Sequence, residues 1–186
     1  MKRLKFSYNA PFTLSFALIA FLAFSSSLLS NNWTLYHIFS IGEGFSFADP
    51  FQWHRLFLHI LGHGTSEHLI YNLSVVLLLG PILEEKYGAR NLIFLALLTA
   101  LITAIPMLIV PGILFGSSGF VFALIVLSSY TRAKNGAIPL TFALVSVLFI
   151  GQEIYRAFYL DDQIAQFAHI LGGIVGGLFA TLCVKH

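Results

Sequence analysis

The chain is built of apolar runs long enough to cross a lipid bilayer, broken by short segments that hold most of its charge. Inside hydrocarbon every backbone N–H and C=O must be satisfied within the protein, so such runs read as transmembrane helices. Composition excludes a soluble globular domain. Hydrophobic residues are 58% of the 186 and charged residues only 10%; 19 are Phe, and the mean hydropathy is +0.85. No hydrophilic stretch is long enough to fold by itself, so residues 1–186 read as a single transmembrane domain. The net charge of +2 comes without a basic block, and no nucleic-acid partner is expected. The one cysteine, Cys183, excludes a disulfide within the chain.

The expected architecture is an all-α integral membrane protein. Its six spans lie at about residues 11–29, 65–83, 92–110, 117–130, 137–150 and 164–184. The first follows a basic start and has the order of a signal peptide. Its apolar part is too long for one and Ser25-Ser26-Ser27 is a poor cleavage site, so it reads as a retained span. Residues 30–62 carry aromatics such as Trp33, Tyr36, Phe47 and Trp53, with Gly42, Gly44, Asp49 and Pro50 as breakers. They are too interrupted to span and too aromatic to lie free in water. They read as a membrane-embedded first loop with short amphipathic helices at headgroup depth.

Six spans place Lys2, Arg3, Lys5, Lys86, Arg90, Arg132, Lys134 and Lys185 on one side and only Arg55 and Arg156 on the other. Positive charge collects on the cytoplasmic side, so both termini are expected there. The lack of a targeting extension favours a bacterial plasma membrane.

Polar residues at the outer ends of three spans carry the chemistry. Gly116-Ser117-Ser118-Gly119 opens the fourth, and glycine on both sides allows close backbone approach and an accessible serine. A serine at a helix N-terminus has free N–H groups and a favourable dipole beside it for a developing oxyanion. A small-residue packing face is the competing reading of this stretch. Serine needs a base, and His169 near the start of the sixth span is the candidate. His68 and Asn72, four apart at the start of the second span, share a helix face and are candidate oxyanion donors. Ala165, His169, Gly173 and Gly177, with Ala168, Gly172 and Gly176, form a small-residue stripe that lets another helix approach. With no acid beside His169, the arrangement is a dyad.

These residues resemble the rhomboid intramembrane serine proteases in their basic six-span form, over roughly residues 51–177. The motifs are Arg55, His59, His63, His68 and Asn72 in R-x3-H-x3-H-x4-H-x3-N, the G-x-S-G of Gly116 to Gly119, and Ala168-His169-x2-Gly172-x3-Gly176. The resemblance implies Ser118 as nucleophile, His169 as base, and His68 and Asn72 as transition-state stabilisers. It implies structural roles for Arg55, Gly116, Gly119, Gly172 and Gly176, no cofactor or metal, and transmembrane proteins as substrates in the bilayer. The segment at about 151–166 would lie beside the substrate's access route. This sequence departs from the family pattern at His54, between Trp53 and Arg55, at Phe115 before the G-x-S-G, and at Phe122, where Tyr is common.

Three other readings remain at this point. A metal-dependent membrane hydrolase would use His59, His63 and His68, although H-E-x-x-H and H-x-x-E-H are both absent. A rhomboid-like protein that binds membrane clients without cutting would keep the fold. A channel or transporter lacks the expected repeats.

Overall fold

The computed structural model describes residues 8–130 and 163–183, together with positions 140, 143, 144, 147, 148 and 151. The expected fifth span and the polar loop after it, with Glu153, Arg156, Asp161 and Asp162, lie largely outside the described residues, as do Lys2, Arg3, Lys5, Arg132, Lys134 and Lys185.

The described part is mostly helical, in agreement with an all-α membrane fold. Helix α1 is Pro11–Leu29. Proline at its first position is tolerated because that N–H would lack a partner anyway. Its buried positions, among them Thr13, Phe16, Ala17, Ala20 and Phe24, follow a helical stripe, while Leu18, Phe21 and Leu22 are exposed on the other face. A helix apolar on both faces belongs in lipid. Asn31 and Asn32 take left-handed backbone angles (φ 51 and 65) and turn the chain into α2, Trp33–His37. Asparagine enters this region more readily than most residues.

The rest of the first loop is short pieces: β1 (Ile41–Gly42), a 3-10 turn at Pro50–Gln52, α3 (Arg55–Leu58) and a 3-10 turn at His59–Leu61. Helix α4 is Ser66–Tyr87. Thr65 caps it, its hydroxyl accepting the His68 N–H at 3.2 Å. It runs a turn past the end expected at Leu83. Gly88, at φ +84, separates it from α5, Ala89–Ala104. The third expected span, 92–110, is thus shorter as α-helix, because Pro106 converts its end into a 3-10 turn over Ile105–Leu108. Strand β2 (Ile113–Leu114) leads to α6, Ser118–Tyr130, and the last described helix is α7, Gln163–Cys183.

Among the described residues three helices are long and apolar enough to cross a membrane: Pro11–Leu29, Ser66–Tyr87 and Ala89–Leu108. Two shorter apolar helices, Ser118–Tyr130 and Gln166–Leu182, accompany them.

Helix α6 is the centre of the packing. From Gly119 to Tyr130 only Ile125, Ser128 and Ser129 are not fully buried. Phe120 meets Phe16 of α1 with ring centroids 5.3 Å apart, and α4, α5 and α7 also pack on it. Burying this helix on every side removes its apolar residues from lipid and fixes its N-terminus in space.

The antiparallel pair β1–β2 joins Ile41 to Leu114 and Gly42 to Ile113. It ties the first loop to the segment just ahead of α6. Gly42 is at φ +123 and Gly112 at φ +130, and a side chain at Gly42 would strike the Gly112 carbonyl, which accepts the Glu43 N–H at 2.9 Å.

Candidate active site

Ser118 is the first residue of α6, and the first backbone bond of that helix runs from Val121 N–H to the Ser117 carbonyl at 2.8 Å. The N–H groups before Val121 have no partner within the helix and point out of its N-terminus. Gly116 stands at φ +116, a left-handed angle that turns the chain sharply into the helix. Its N–H donates to the His59 carbonyl at 2.9 Å.

The two serines of the motif have different surroundings. Ser118 is half-buried, whereas Ser117 is fully buried and its Oγ lies 3.3 Å from His63 Nε2. The His63 ring is neutral by geometry. Its Nδ1 is 3.1 Å from the Leu61 carbonyl, which only accepts, so Nδ1 carries the proton. Nε2 therefore accepts, taking the Asn72 Nδ2–H at 3.1 Å and the Ser117 hydroxyl. Burial, with the neighbouring His68 adding to it, pushes His63 down to about 4.

Asn72 is fully buried on α4. One N–H of its amide serves His63, and its Oδ1 has no hydrogen-bond partner among the described residues. His68, one turn earlier on the same helix, sets its ring edge-on to His63 at 4.9 Å and tilted to Phe115 at 6.4 Å. The ring lies against Gly116: a Cβ there would fall 2.6 Å from His68 Cε1. Glycine at this position is what lets the imidazole reach the turn that carries Ser118.

The other side of Ser118 is built by α7. A Cβ on Gly119 would lie 3.3 Å from the Ala168 carbonyl, one on Gly172 would fall 2.8 Å from the Gly119 Cα, and one on Gly176 would fall 2.7 Å from the Ala123 Cα. The α6 and α7 backbones therefore touch through glycine, as small-residue stripes permit. His169 follows Ala168, and its ring stacks on Phe122 with centroids 4.3 Å apart and planes 15° apart. Phe122 is one turn below Ser118 on the same face of α6. Ser118 and His169 thus sit on facing turns, with His68 and Asn72 approaching through Gly116 and His63.

His59 and Arg55 lie outside this cluster and support it. His59 is buried between the Arg55 carbonyl (Nδ1, 3.2 Å) and Thr103 Oγ1 of α5 (Nε2, 3.2 Å), and burial pushes it down to about 4. Arg55 Nε donates to the Ser40 carbonyl at 2.7 Å. Among the described residues no three His, Cys, Asp or Glu side chains converge as a metal site, and His59 and His63 are committed to hydrogen bonds.

The Rhomboid domain family model matches residues 50–186, which takes in the end of the first loop from Pro50 onward, the α6–α7 glycine contacts and every one of these side chains. The chain belongs to the rhomboid family. Rhomboids are mostly intramembrane serine proteases that act on transmembrane substrates, and inactive members exist. With its apolar helices, this rhomboid is an integral membrane protein. No curated protein matches the chain.

Sequence reasoning about this rhomboid passed over Ser117 as a hydrogen-bond donor and His63 as the ring that joins Ser117 to Asn72. The fourfold spacing of His59 and His63 was the visible signal. Their partners on α4, α5 and the α6 turn are distant in sequence and left none.

Proposed function

We propose that the protein is an intramembrane serine endopeptidase that cuts transmembrane segments of other proteins near the outer membrane face. The observation that carries this reading is the glycine contact between α6 and α7, which sets the Ser118 turn against the His169 turn above the stacked Phe122 ring. In this reaction Ser118 Oγ attacks the scissile carbonyl while His169 takes its proton. The oxyanion that forms is held by N–H groups at the start of α6 and by His68 and Asn72. His169 returns the proton to the leaving amine, and water, activated by the same histidine, hydrolyses the acyl-enzyme and frees Ser118.

Helix length supports a recessed site. The fourth span expected from the sequence, about residues 117–130, rises only about 20 Å at 1.5 Å per residue, less than the roughly 30 Å of hydrocarbon. With both termini cytoplasmic, Ser118 would lie below the outer surface. A substrate helix must unwind there, because its peptide bonds are otherwise closed in hydrogen bonds.

The test is labelling of detergent-solubilised protein with a fluorophosphonate, followed by cleavage of a model transmembrane substrate. Wild type should be labelled at Ser118, and Ser118→Ala should lose both label and cleavage while remaining folded. Label on Ser117, or cleavage undiminished in Ser118→Ala, would refute the assignment. Substrate capture without label or cleavage would support a non-cutting rhomboid.

A further inference from the structure

The first loop borders a half-open cavity of about 480 Å³, lined by Tyr36 and His37 of α2, Glu43 and Gly44 after β1, Gln52, Arg55 and Ile113 of β2. That volume falls within the roughly 300–1,000 Å³ usual for small-ligand sites. Its charges are arranged in an unusual way. Arg55 is only 6% exposed, with Nε on the Ser40 carbonyl and Nη1 3.3 Å from Gln52 Oε1. Its Nη2 has no hydrogen-bond partner among the described residues, and it is not among their fully enclosed unpaired atoms, so it remains in reach of the cavity. Glu43 lines the same cavity and makes no ion pair with Arg55. A guanidinium that lines the cavity with an N–H group to spare suits an anionic acceptor. Glu43, an exposed carboxylate on the rim of the same cavity, complements a cation.

One ligand chemistry answers both: a phosphodiester carrying a primary ammonium. The surroundings say where it comes from. Trp33, Tyr36 and Trp53 of this loop are exposed, as aromatics at headgroup depth are. We propose that this cavity binds the headgroup of a phosphatidylethanolamine, with the phosphate on Arg55 and the ammonium on Glu43. Bound there, the lipid bridges α2, the β1–β2 pair and α3, and so braces the loop that adjoins α6. This inference stands apart from the protease reading, because neither residue touches the Ser118–His169 cluster.

Native mass spectrometry of the full chain, equilibrated with equal phosphatidylethanolamine and phosphatidylglycerol, tests it. Wild type should retain phosphatidylethanolamine preferentially. Glu43→Gln, an exposed substitution that the fold tolerates, should reduce that preference by about tenfold, the ratio that one charge-assisted bond supplies. Arg55→Gln should reduce retention of both lipids. Soluble O-phosphoethanolamine should compete with the lipid where inorganic phosphate at the same concentration does not. Equal retention of the two lipids by wild type, or an unchanged preference in Glu43→Gln, overturns the proposal even if Arg55→Gln fails to fold. Equal displacement by inorganic phosphate overturns it in favour of a plain anion site.

Discussion

Glu84, on the last turn of α4, caps the first turn of α1 at Thr13. One carboxylate oxygen accepts the Phe12 N–H at 2.8 Å; the other accepts the Thr13 N–H at 2.9 Å and the Thr13 hydroxyl at 2.7 Å. These N–H groups are ones a helix start leaves without partners, and negative charge is favoured there. Gly80 makes the approach possible, since a Cβ on it would fall 2.6 Å from the Thr13 Cγ2.

Glu84→Ala leaves those donors buried, and each unsatisfied group costs about 1–3 kcal/mol. Thermal unfolding in detergent should show a clearly lower Tm for Glu84→Ala than for Glu85→Ala, whose side chain is exposed. Equal midpoints would mean that the capping contributes nothing to stability.

A second prediction separates neighbouring glycines of α7. A Cβ on Gly172 collides with the Gly119 backbone, whereas one on Gly173 meets only Val126 Cγ2, at 3.7 Å. Gly172→Ala must push α7 away from α6, while Gly173→Ala rests in ordinary contact. The first should lower both Tm and cleavage, and the second should leave both near wild type. Comparable losses in the two variants would show that the helices do not meet along Gly119–Gly172.

The parts of this molecule that could be read from sequence are those with a local signal. Apolar runs marked the helices, and the glycines around Ser118 and along α7 marked a close approach. The illegible parts rest on partners far apart in the chain. Glu84 stands beside Glu85 and Lys86 with nothing in the sequence to single it out, because Thr13 is 71 residues away. The β1–β2 pair is two residues long on each side, too short for any alternation to show. Ser117 sat in the variable position of its motif, and its bond to His63 spans 54 residues.

Acid should destabilise the fold through its buried histidines. His59 and His63 are pushed from 6.5 down to about 4, so the unfolded chain binds more protons than the folded one between those values. Stability therefore rises with pH across this window and is lost as pH falls from about 6.5 towards 4, by roughly 3 kcal/mol for each ring. Tm measured from pH 7.5 to pH 4.5 should decline, and His59→Gln should flatten the slope. A Tm independent of pH over that range would contradict the neutral, buried rings.

Orientation can be checked on the first loop. If positive charge lies inside, as the proposed orientation has it, the loop should face outward. Phe47 is an exposed residue of that loop. In a Cys183→Ser background, Phe47→Cys should react with a membrane-impermeant maleimide on intact cells. Reaction only after the cytoplasm is opened would invert the protein.

The last prediction concerns His68 and Asn72. If they stabilise the oxyanion, removing either should lower kcat by about 10²–10³ with a smaller effect on KM, the signature of a donor used in the transition state. Asn72 has a second duty, because its N–H already serves His63 Nε2, which also takes the Ser117 hydroxyl. Ser117→Ala removes one donor from that ring and touches no oxyanion position, so it measures the cost of loosening the support alone. A neutral hydrogen bond is worth about 0.5–1.5 kcal/mol, which predicts at most about a tenfold loss for Ser117→Ala. Asn72→Ala should lose far more than that, and Asn72→Gln should recover little, since the extra methylene displaces the amide from both partners. Should Asn72→Ala and Ser117→Ala fall by the same modest factor, with His68→Ala at wild-type kcat, these side chains only hold the turn, and the oxyanion is left to the N–H groups that open α6.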